Sequence, residues 1–232
     1  MCVYAHARFL LLDSMIIIFD LDGTLLNTID DLGYACNYAL ERVGYPTFPI
    51  EAYPAKVGNG INNLIRRALP ETERTEENIL RVRAHFVPYY DAHNCDYTRP
   101  YEGIPEVLDA LKAQGHQLAV ASNKYQAATE KIVNHFFPGV FDVILGEREG
   151  IERKPNPQIV FDIIQNILNN QNNQKTQILY IGDSLVDFET AKNAEVPFVA
   201  CSWGFVPREK LVDAGVARII DKPAELTVLL IQ

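Results

Sequence analysis

The sequence predicts an α/β protein with a Rossmann-like, mostly parallel sheet flanked by helices, and with an inserted all-helical cap domain. Three observations indicate this fold. Short apolar, β-branched segments recur along the chain, helical periodicity separates most of them, and residues 28–97 show helical spacing without a good strand. The 232 residues exceed one typical domain of roughly 150 residues, so a core domain that carries an insertion fits the length.

The first apolar segment, Ile16–Phe19, ends at Asp20 and is typical of a strand buried on both faces of a parallel sheet. Further strands are predicted at His116–Ala121, Phe141–Leu145, Gln177–Ile181, Pro197–Cys201 and Arg218–Ile220. Core helices are predicted at Ile104–Gln114, Tyr125–Phe136, Pro157–Asn169, Leu185–Ala194 and Ala224–Leu230. Sites in such sheets lie at the carboxyl ends of the strands, so the polar residues found there are the functional candidates.

The predicted domains follow from this pattern. Residues 15–27 and 98–232 form the core domain, and residues 28–97 form the helical cap domain. Met15 stands directly before the first strand and is a candidate start, which makes residues 1–14 a candidate N-terminal extension.

Three helices are expected in the cap. The first spans Ile29–Val43, with Thr28 as its candidate N-cap and Gly44 as its stop. The second follows the Gly58–Gly60 loop, and the third begins near Thr75. The polar run from Asn169 to Gln174 is expected to be a loop on the surface of the core domain, ahead of the next strand.

Composition narrows the possible partners and the cellular compartment. Hydrophobic residues make up 48% of the chain and charged residues 22%, which is typical of a globular protein. Because 30 acidic residues outnumber 21 basic ones, the formal charge of −9 disfavours nucleic acid and anionic membranes as partners. The cysteines are scattered without a CxxC pair, which disfavours a disulfide framework or a zinc site and favours a cytoplasmic location.

Two carboxylates follow the first strand in the segment Asp20-Leu21-Asp22-Gly23-Thr24. If the chain turns here, Asp20 and Asp22 can meet one metal ion and one phosphoryl group, so that one attacks while the other transfers a proton. The alternative is a solvated Asx turn, which a DG pair alone would favour. Four apolar residues before the motif argue against that alternative.

A second acidic pair follows another apolar strand, in Gly182-Asp183-Ser184-Leu185-Val186-Asp187. Asp183 is expected at the strand's tip and Asp187 about one helical turn later. Oxygen ligands without a soft ligand nearby favour Mg²⁺ over zinc. The alternative is that Asp183 is an ordinary helix cap.

Two weaker signals complete the set. Ser122-Asn123 ends a predicted strand, where a hydroxyl and a backbone N–H can hold a phosphate oxygen. Lys154 stands in the Pro-stiffened segment Lys154-Pro155-Asn156-Pro157, where it can offset phosphate charge. A lone lysine is more often simply solvated, so these two signals gain weight from their order with the acidic motifs.

In that order the residues resemble the four motifs of the haloacid dehalogenase superfamily. The resemblance extends over nearly all of the chain after Met15 and points to the phosphoglycolate phosphatase-like subgroup, through FDLDGTLLNT, VGNGINNLIRRAL, SNK, KPNP and GDSLVD. It implies a Mg²⁺-dependent phosphatase for small phosphorylated metabolites, with 2-phosphoglycolate as the leading substrate. A monomer or a homodimer is expected.

The resemblance also implies residue roles. Asp20 is expected to form an aspartyl-phosphate, and Asp22 to protonate the leaving alcohol and later activate water. Mg²⁺ is expected on the Asp20 carboxylate, the Asp22 backbone carbonyl and Asp183, with Asp187 orienting the ion's surroundings. Phosphoryl oxygens are expected on the remaining candidates, which are Ser122, Asn123 and Lys154.

Several alternatives stay open from the sequence. A sugar phosphomutase, a pyrophosphatase or a nucleotidase would keep the same motifs, and a phosphonatase would use a cap lysine, for which Lys56 is the candidate. A dehalogenase would not need Asp22. A non-catalytic binding protein on this scaffold would be expected to lose an essential carboxylate, whereas all four are present.

Selectivity is expected to come from the cap. The Gly58-Asn59-Gly60 loop is predicted to close over the site, with Asn59, Gly60 or Arg66 near the leaving group. The alternative is a simple helix-start loop with Arg66 on a solvated face. Two residues depart from the family pattern: Asn27 replaces a frequent Asp, and Glu195 replaces a frequent Gly at a helix end, which puts the local geometry there in doubt.

Overall fold

Parallel strands form the central sheet of the computed structural model, which describes residues 14–169 and 176–229. The strands in chain order are β1 (Met15–Phe19), β2 (Leu26–Asn27), β3 (Arg99–Pro100), β4 (Gln117–Tyr125), β5 (Val143–Glu147), β6 (Gln177–Gly182), β7 (Phe198–Cys201) and β8 (Ile219–Ile220). Six of them build one sheet in the order β5-β4-β1-β6-β7-β8, with parallel neighbours throughout. The predicted Rossmann-like sheet is confirmed.

The first strand explains why the sheet is buried on both faces. Alternate side chains of a strand point to opposite faces. Ile17 and Phe19 accordingly belong to one apolar cluster of the core, whereas Ile16 and Ile18 belong to another. Each is fully buried, so the continuous apolar run of β1 serves two helix-covered layers at once.

Helices cover the sheet and occupy the insertion. In chain order they are α1 (Ile29–Val43), α2 (Ile61–Ala68), α3 (Glu76–His93), α4 (Ile104–Ala113), α5 (Gln126–Phe136), α6 (Gln158–Leu168), α7 (Leu185–Asn193), α8 (Arg208–Asp213) and α9 (Glu225–Leu229). Single 3₁₀ turns at Ile50–Ala52 and Glu71–Glu73 join the first three. None of the helices in the described ranges is long and apolar enough to cross a bilayer.

The two chain segments that connect the insertion to the core domain lie side by side. Leu26 and Asn27 of β2 pair antiparallel with Pro100 and Arg99 of β3. Between them, α1 ends at Gly44 with φ 86°, a left-handed conformation that glycine adopts without strain. Thr75 caps α3 by accepting a hydrogen bond from the Asn78 N–H.

The structure differs from the sequence prediction in several places, among them the short strands β2 and β3, which were not predicted. Thr28 makes no side-chain cap for α1, because its hydroxyl is engaged elsewhere. Strand β4 runs to Tyr125 instead of ending at Ala121, because its register against β5 shifts and resumes at Glu147. Helix α8 was not predicted, since six residues are too few for a clear periodic pattern.

Some predictions fall on residues that the structure does not describe. These are residues 170–174 of the polar run, residues 1–13 of the predicted extension and residue 230 of the last predicted helix.

Candidate active site

Polar residues gather at the carboxyl ends of the central strands. Asp20 follows β1, Ser122 lies near the end of β4, and Asp183 follows β6. Because β4, β1 and β6 are adjacent and parallel, these ends meet at one edge of the sheet. The edge borders a cavity of about 300 Å³, whose lining includes Asp20, Asp22, Ser122, Asn123, Lys154 and Asp183.

Three carboxylates form a buried cluster beside this cavity. Oxygen atoms of Asp20, Asp183 and Asp187 lie within 4.8 Å of one another. Asp183 accepts hydrogen bonds from the Phe205 backbone N–H at 2.7 Å and from the Thr24 hydroxyl at 3.4 Å. Like charges at such distances repel strongly away from water, so the cluster requires positive charge nearby.

Glycines leave the room that Asp183 occupies. A Cβ atom at Gly23 or at Gly204 would collide with the Asp183 carboxylate. Gly23 also has φ 90°, which side chains rarely tolerate. The glycine of the DLDGT motif therefore serves both the turn after β1 and the close approach of the second acidic motif.

Lys154 supplies positive charge to the cluster. Its ammonium donates to Asp20 Oδ1 at 2.8 Å and to Asp187 Oδ1 at 2.7 Å, and it also contacts the Ala121 carbonyl and the Tyr180 hydroxyl. The lysine side chain is only 3% exposed, so these contacts replace water completely. The structure thus excludes the solvated-lysine alternative for Lys154.

Asp187 is oriented by the first turn of α7. Ser184 and Asp187 form a capping box, in which the Ser184 hydroxyl and backbone N–H both donate to Asp187 Oδ2. The other oxygen, Oδ1, faces Lys154. The helix start therefore fixes how Asp187 presents its charge to the cluster.

Two carboxylates of the cluster, those of Asp20 and Asp183, have raised pKa values. Burial raises the pKa of Asp20 to about 7, the charge of Asp187 adds to the rise, and Lys154 opposes it. Burial likewise raises the pKa of Asp183 well above its ordinary value, with Asp187 and Asp20 adding to the effect. Burial alone would lower the pKa of Lys154, but Asp187 and Asp20 hold it well above its ordinary value.

The donor set fits a magnesium ion. Asp20 and Asp183, which line the cavity, and Asp187 beside them offer carboxylate oxygens, which are hard ligands of the kind that Mg²⁺ prefers. Three carboxylates against the single ammonium of Lys154 leave an excess of two negative charges, which one divalent cation would balance. Such an ion would also favour the ionised carboxylates and oppose the raised pKa values of Asp20 and Asp183.

Asp22 faces a different group of residues. Its Oδ1 forms an ion pair with Lys124 at 2.8 Å and accepts a hydrogen bond from the Thr28 hydroxyl at 2.6 Å. Lys124 in turn donates to the Tyr90 hydroxyl of α3 at 2.6 Å. The second carboxylate of the DLDGT motif is therefore held between the core and the cap, apart from the acidic cluster.

Ser122 and Asn123 occupy the irregular end of β4. The Ser122 hydroxyl oxygen accepts from the Lys124 N–H at 3.1 Å, which leaves the hydroxyl hydrogen for a ligand in the cavity. The Asn123 side chain pairs with the Lys154 backbone through two hydrogen bonds, at 3.1 and 2.9 Å. Asn123 therefore positions the lysine loop with its side chain.

The comparisons with known proteins agree with this architecture. The haloacid dehalogenase-like hydrolase family matches residues 17–201, which is most of the chain. The chain belongs to this family. The match includes all of the core motifs, so the resemblance predicted from the sequence is confirmed.

Relatives of this hydrolase include proteins that are named as phosphatases. It is 31% identical to a phosphoglycolate phosphatase of Aquifex aeolicus, over 82% of this chain and 86% of the relative. It is 30% identical to a phosphoglycolate phosphatase of Aliivibrio fischeri, over 87% and 90%. A crystal structure from Lactobacillus delbrueckii subsp. bulgaricus, provisionally named a phosphoglycolate phosphatase, superposes with a TM-score of 0.86 at 33% identity, over 94% and 98%. These findings confirm the predicted subgroup.

The cap side of the hydrolase's cavity contains Asn59 and Gly60. Asn59 has φ 62°, and its side-chain Oδ1 is buried without a hydrogen-bond partner in the described chain. Its backbone carbonyl accepts from Arg153 of the core at 2.9 Å. A Cβ atom at Gly60 would lie 2.7 Å from the same guanidinium, so glycine permits this contact between cap and core.

Arg66 does not line the cavity. Its guanidinium donates to Asn63 and pairs with Glu76 at 3.4 Å on an exposed face of α2. The neighbouring Arg67 lines the cavity instead, and donates to the three backbone carbonyls of residues 56–58. The structure therefore brings together all predicted site residues except Arg66.

Lys56, the candidate for a phosphonatase lysine, also lies outside the cavity lining. Its ammonium lies 4.0 Å from the centre of the Phe48 ring and 3.5 Å from the Arg67 carbonyl oxygen. The cap thus presents no lysine of its own to the cavity. The phosphonatase alternative gains no support from this arrangement.

Besides Arg67, sequence reasoning missed Lys124, Tyr90 and Arg153. Lys124 stands in the SNK segment, but a lysine after a strand gives no sign of where its long side chain ends. Tyr90 had the spacing of a core residue and is indeed 1% exposed, although its hydroxyl meets Lys124. Arg153 precedes Lys154 directly, and its position next to that motif was the available signal.

Proposed function

We propose that this family member is a Mg²⁺-dependent phosphatase that hydrolyses 2-phosphoglycolate through an aspartyl-phosphate on Asp20. The observation that carries the proposal is that two carboxylates only two residues apart in sequence lie in different surroundings. Asp20 lies in the buried cluster with Asp183 and Asp187, whereas Asp22 is held by Lys124 and Thr28. One carboxylate is thus placed to attack phosphorus and the other to move a proton.

In the first half of the reaction, an Asp20 carboxylate oxygen forms a bond to phosphorus while the bond from phosphorus to the ester oxygen breaks. Asp22, protonated at the start of this half, gives its proton to that oxygen, so glycolate leaves with a neutral hydroxyl group. Ser122 donates its hydroxyl hydrogen to a phosphoryl oxygen. Lys154 holds Asp20 in place through the contact at 2.8 Å.

In the second half, Asp22 takes a proton from water, whose oxygen attacks phosphorus and releases the bond to Asp20. Asp20, Asp183 and the Asp22 backbone carbonyl would hold Mg²⁺, and Asp187 would orient its surroundings. The bound ion supplies positive charge that offsets the carboxylates and the phosphoryl oxygens in the transition state. Asp22 ends in its starting state, so the cycle is closed.

The names of the relatives and the composition of the chain support the proposed substrate and the proposed kinds of partner. Relatives named phosphoglycolate phosphatase cover most of this chain at about 30% identity. The acidic chain, with formal charge −9, must hold an anionic metabolite through local groups, which the site provides. The same charge disfavours nucleic acid and anionic membranes as partners, and the scattered cysteines favour a cytoplasmic location.

The test is phosphate release with and without Mg²⁺ from 2-phosphoglycolate, sugar phosphates, nucleotides, pyrophosphate and phosphonoacetaldehyde. We expect selective, Mg²⁺-dependent release from 2-phosphoglycolate, and a loss of at least about 1,000-fold in Asp20→Asn. Asp109→Asn on the exposed face of α4 is the matched control and should retain full activity.

Other outcomes separate the parts of the proposal. Broad, slow release from many monoesters would retain the phosphatase and reject 2-phosphoglycolate as its substrate. Release that persists in Asp20→Asn would reject the aspartyl-phosphate. Failure of every substrate would reject hydrolysis and direct attention to phosphoryl transfer between sugar phosphates.

A further inference from the structure

The cavity contains two polar groups to which the proposed reaction assigns no contact with the substrate. Lys124 donates to Tyr90 and pairs with Asp22, which accounts for two of the three N–H donors of its ammonium. The Tyr90 hydroxyl accepts from Lys124, and among the described residues it donates to no acceptor of its own. Both residues line the cavity, although they are only 8% and 1% exposed.

The other cations of the cavity lining have different positions. Lys154 is engaged by Asp20 and Asp187, and Arg67 by backbone carbonyls of the cap loop. Lys210 of α8 is exposed, and no side-chain partner for it is found in the part of the chain that the structure describes. A buried ammonium binds an anion more strongly than an exposed one, because water screens it less.

Lys124 and Tyr90 also have the right place relative to the reaction. Asp22 is the group that gives its proton to the ester oxygen, and Lys124 Nζ lies 2.8 Å from Asp22 Oδ1. In 2-phosphoglycolate, a single methylene separates the ester oxygen from the carboxylate. A leaving group in contact with Asp22 therefore brings its carboxylate next to Lys124 and Tyr90.

We propose that Lys124 and Tyr90 form a subsite for the carboxylate of the leaving group. The free N–H of the ammonium binds one carboxylate oxygen, and the Tyr90 hydroxyl donates to the other. The subsite selects phosphomonoesters with a carboxylate one carbon from the ester oxygen. This inference rests on the proposed function, and it deepens it by assigning substrate recognition to one residue of the core and one of the cap.

The test compares two substrates of similar size, 2-phosphoglycolate and the neutral analogue 2-hydroxyethyl phosphate. We expect the wild-type kcat/KM to favour 2-phosphoglycolate by about tenfold or more, since a charged group gains a hydrogen-bonded partner in a buried site. Tyr90→Phe, which removes one oxygen atom, should lower that preference several-fold. Lys124→Met should abolish it, even though it also slows both substrates through Asp22.

Matched variants make the result specific. Tyr89→Phe changes the neighbouring tyrosine of α3, which packs on Tyr38 outside the cavity lining, and should leave the preference unchanged. Lys210→Gln tests the rival cation and should also leave it unchanged. Equal losses for both substrates in Tyr90→Phe and Lys124→Met, or loss of preference in Lys210→Gln alone, would overturn the subsite.

A binding measurement distinguishes failure of the subsite from failure of the proposed function. Calorimetry of 2-phosphoglycolate with Asp20→Asn, alone and combined with Tyr90→Phe, reads the subsite without turnover. Tighter binding by Asp20→Asn than by the variant that also carries Tyr90→Phe supports the subsite, whatever the activity of the wild type. If the wild type hydrolyses nothing, only the phosphatase proposal is rejected. Equal binding in the two backgrounds rejects the subsite even if hydrolysis is efficient.

Discussion

The core side of the cavity and its cap side are held together by different interactions. The core side, built around Asp20, Lys154 and Asp183, consists of buried charges in direct contact. The cap side is largely apolar, and its loop is fixed through backbone carbonyls; its apolar lining residues include Val57, Ile61, Leu64 and Phe86.

This difference shows how the protein can separate reaction from selectivity. Removing one member of a buried ion pair strands the other charge, so the core side tolerates little change. A loop held by its backbone keeps its position when its side chains change. The cap side can therefore vary the fit to a leaving group while the core side keeps the chemistry constant.

The largest effect on stability is expected from breaking the core side with Lys154→Met. The variant leaves the buried carboxylates of Asp20 and Asp187 without their cation, which should cost about 3–5 kcal/mol of unfolding free energy. Activity should fall by about 100-fold or more, because Asp20 loses its orientation. Urea unfolding in the presence of a chelator and initial-rate kinetics measure the two effects.

Lys112→Met provides the matched control for that variant. Lys112 pairs with Asp142 at 3.0 Å, but both side chains are about one-third exposed, at 34% and 35%. Water screens such a pair, so its loss should cost at most about 1 kcal/mol. Equal destabilisation by the two variants would contradict the claim that the core side depends on a buried ion pair.

A smaller effect is expected from Arg153→Met, which disconnects the two sides. The variant removes the hydrogen bond to the Asn59 carbonyl and the ion pair with Glu147 at 3.2 Å. We expect KM for 2-phosphoglycolate to rise about five- to tenfold with little change in kcat, since the cap loop is held less closely over the cavity. Steady-state kinetics give both constants.

Arg208→Met is the control for the Arg153 variant, because Arg208 of α8 makes an ion pair with Asp221 outside the cavity lining. It should leave both kinetic constants unchanged. A fall in kcat at constant KM for Arg153→Met would show that the guanidinium acts on the core side, through its neighbour Lys154, and not on the cap loop.

The two sides also differ in how far the sequence predicts them. On the core side, the apolar strands mark where each chain segment ends, and parallel strands bring Asp20 and Asp183 to one edge. The local sequence pattern and the sheet topology are sufficient to predict the positions of these residues. The three cap helices were predicted from periodicity, but which arginine of α2 meets the cavity was not, since Arg66 and Arg67 are neighbours on different faces of one short helix.

Contacts between the two sides were the hardest to predict. Lys124 meets Tyr90 only because α3 packs over the end of β4, and the register shift in β4 adds to the uncertainty about where Lys124 points. Such contacts depend on tertiary packing of segments 34 residues apart. No local periodicity reports them, so the proposed carboxylate subsite emerges only from the structure.

The smallest effect is expected at Glu195, which lies beyond the end of α7, the helix whose first turn orients Asp187. The family often has glycine here, and the structure shows Glu195 adopting φ 57° itself, so the geometry is kept at the expense of backbone strain. Glu195→Gly should stabilise the protein by about 0.5–1 kcal/mol, or roughly 2 °C in Tm, with unchanged kcat and KM. Glu189→Gly, inside α7, should instead destabilise by about 1 kcal/mol. Altered kcat or KM in Glu195→Gly would mean that the core side of the cavity responds to backbone strain at the far end of α7. The buried ion pairs of the core side would then not isolate the site from the rest of the fold.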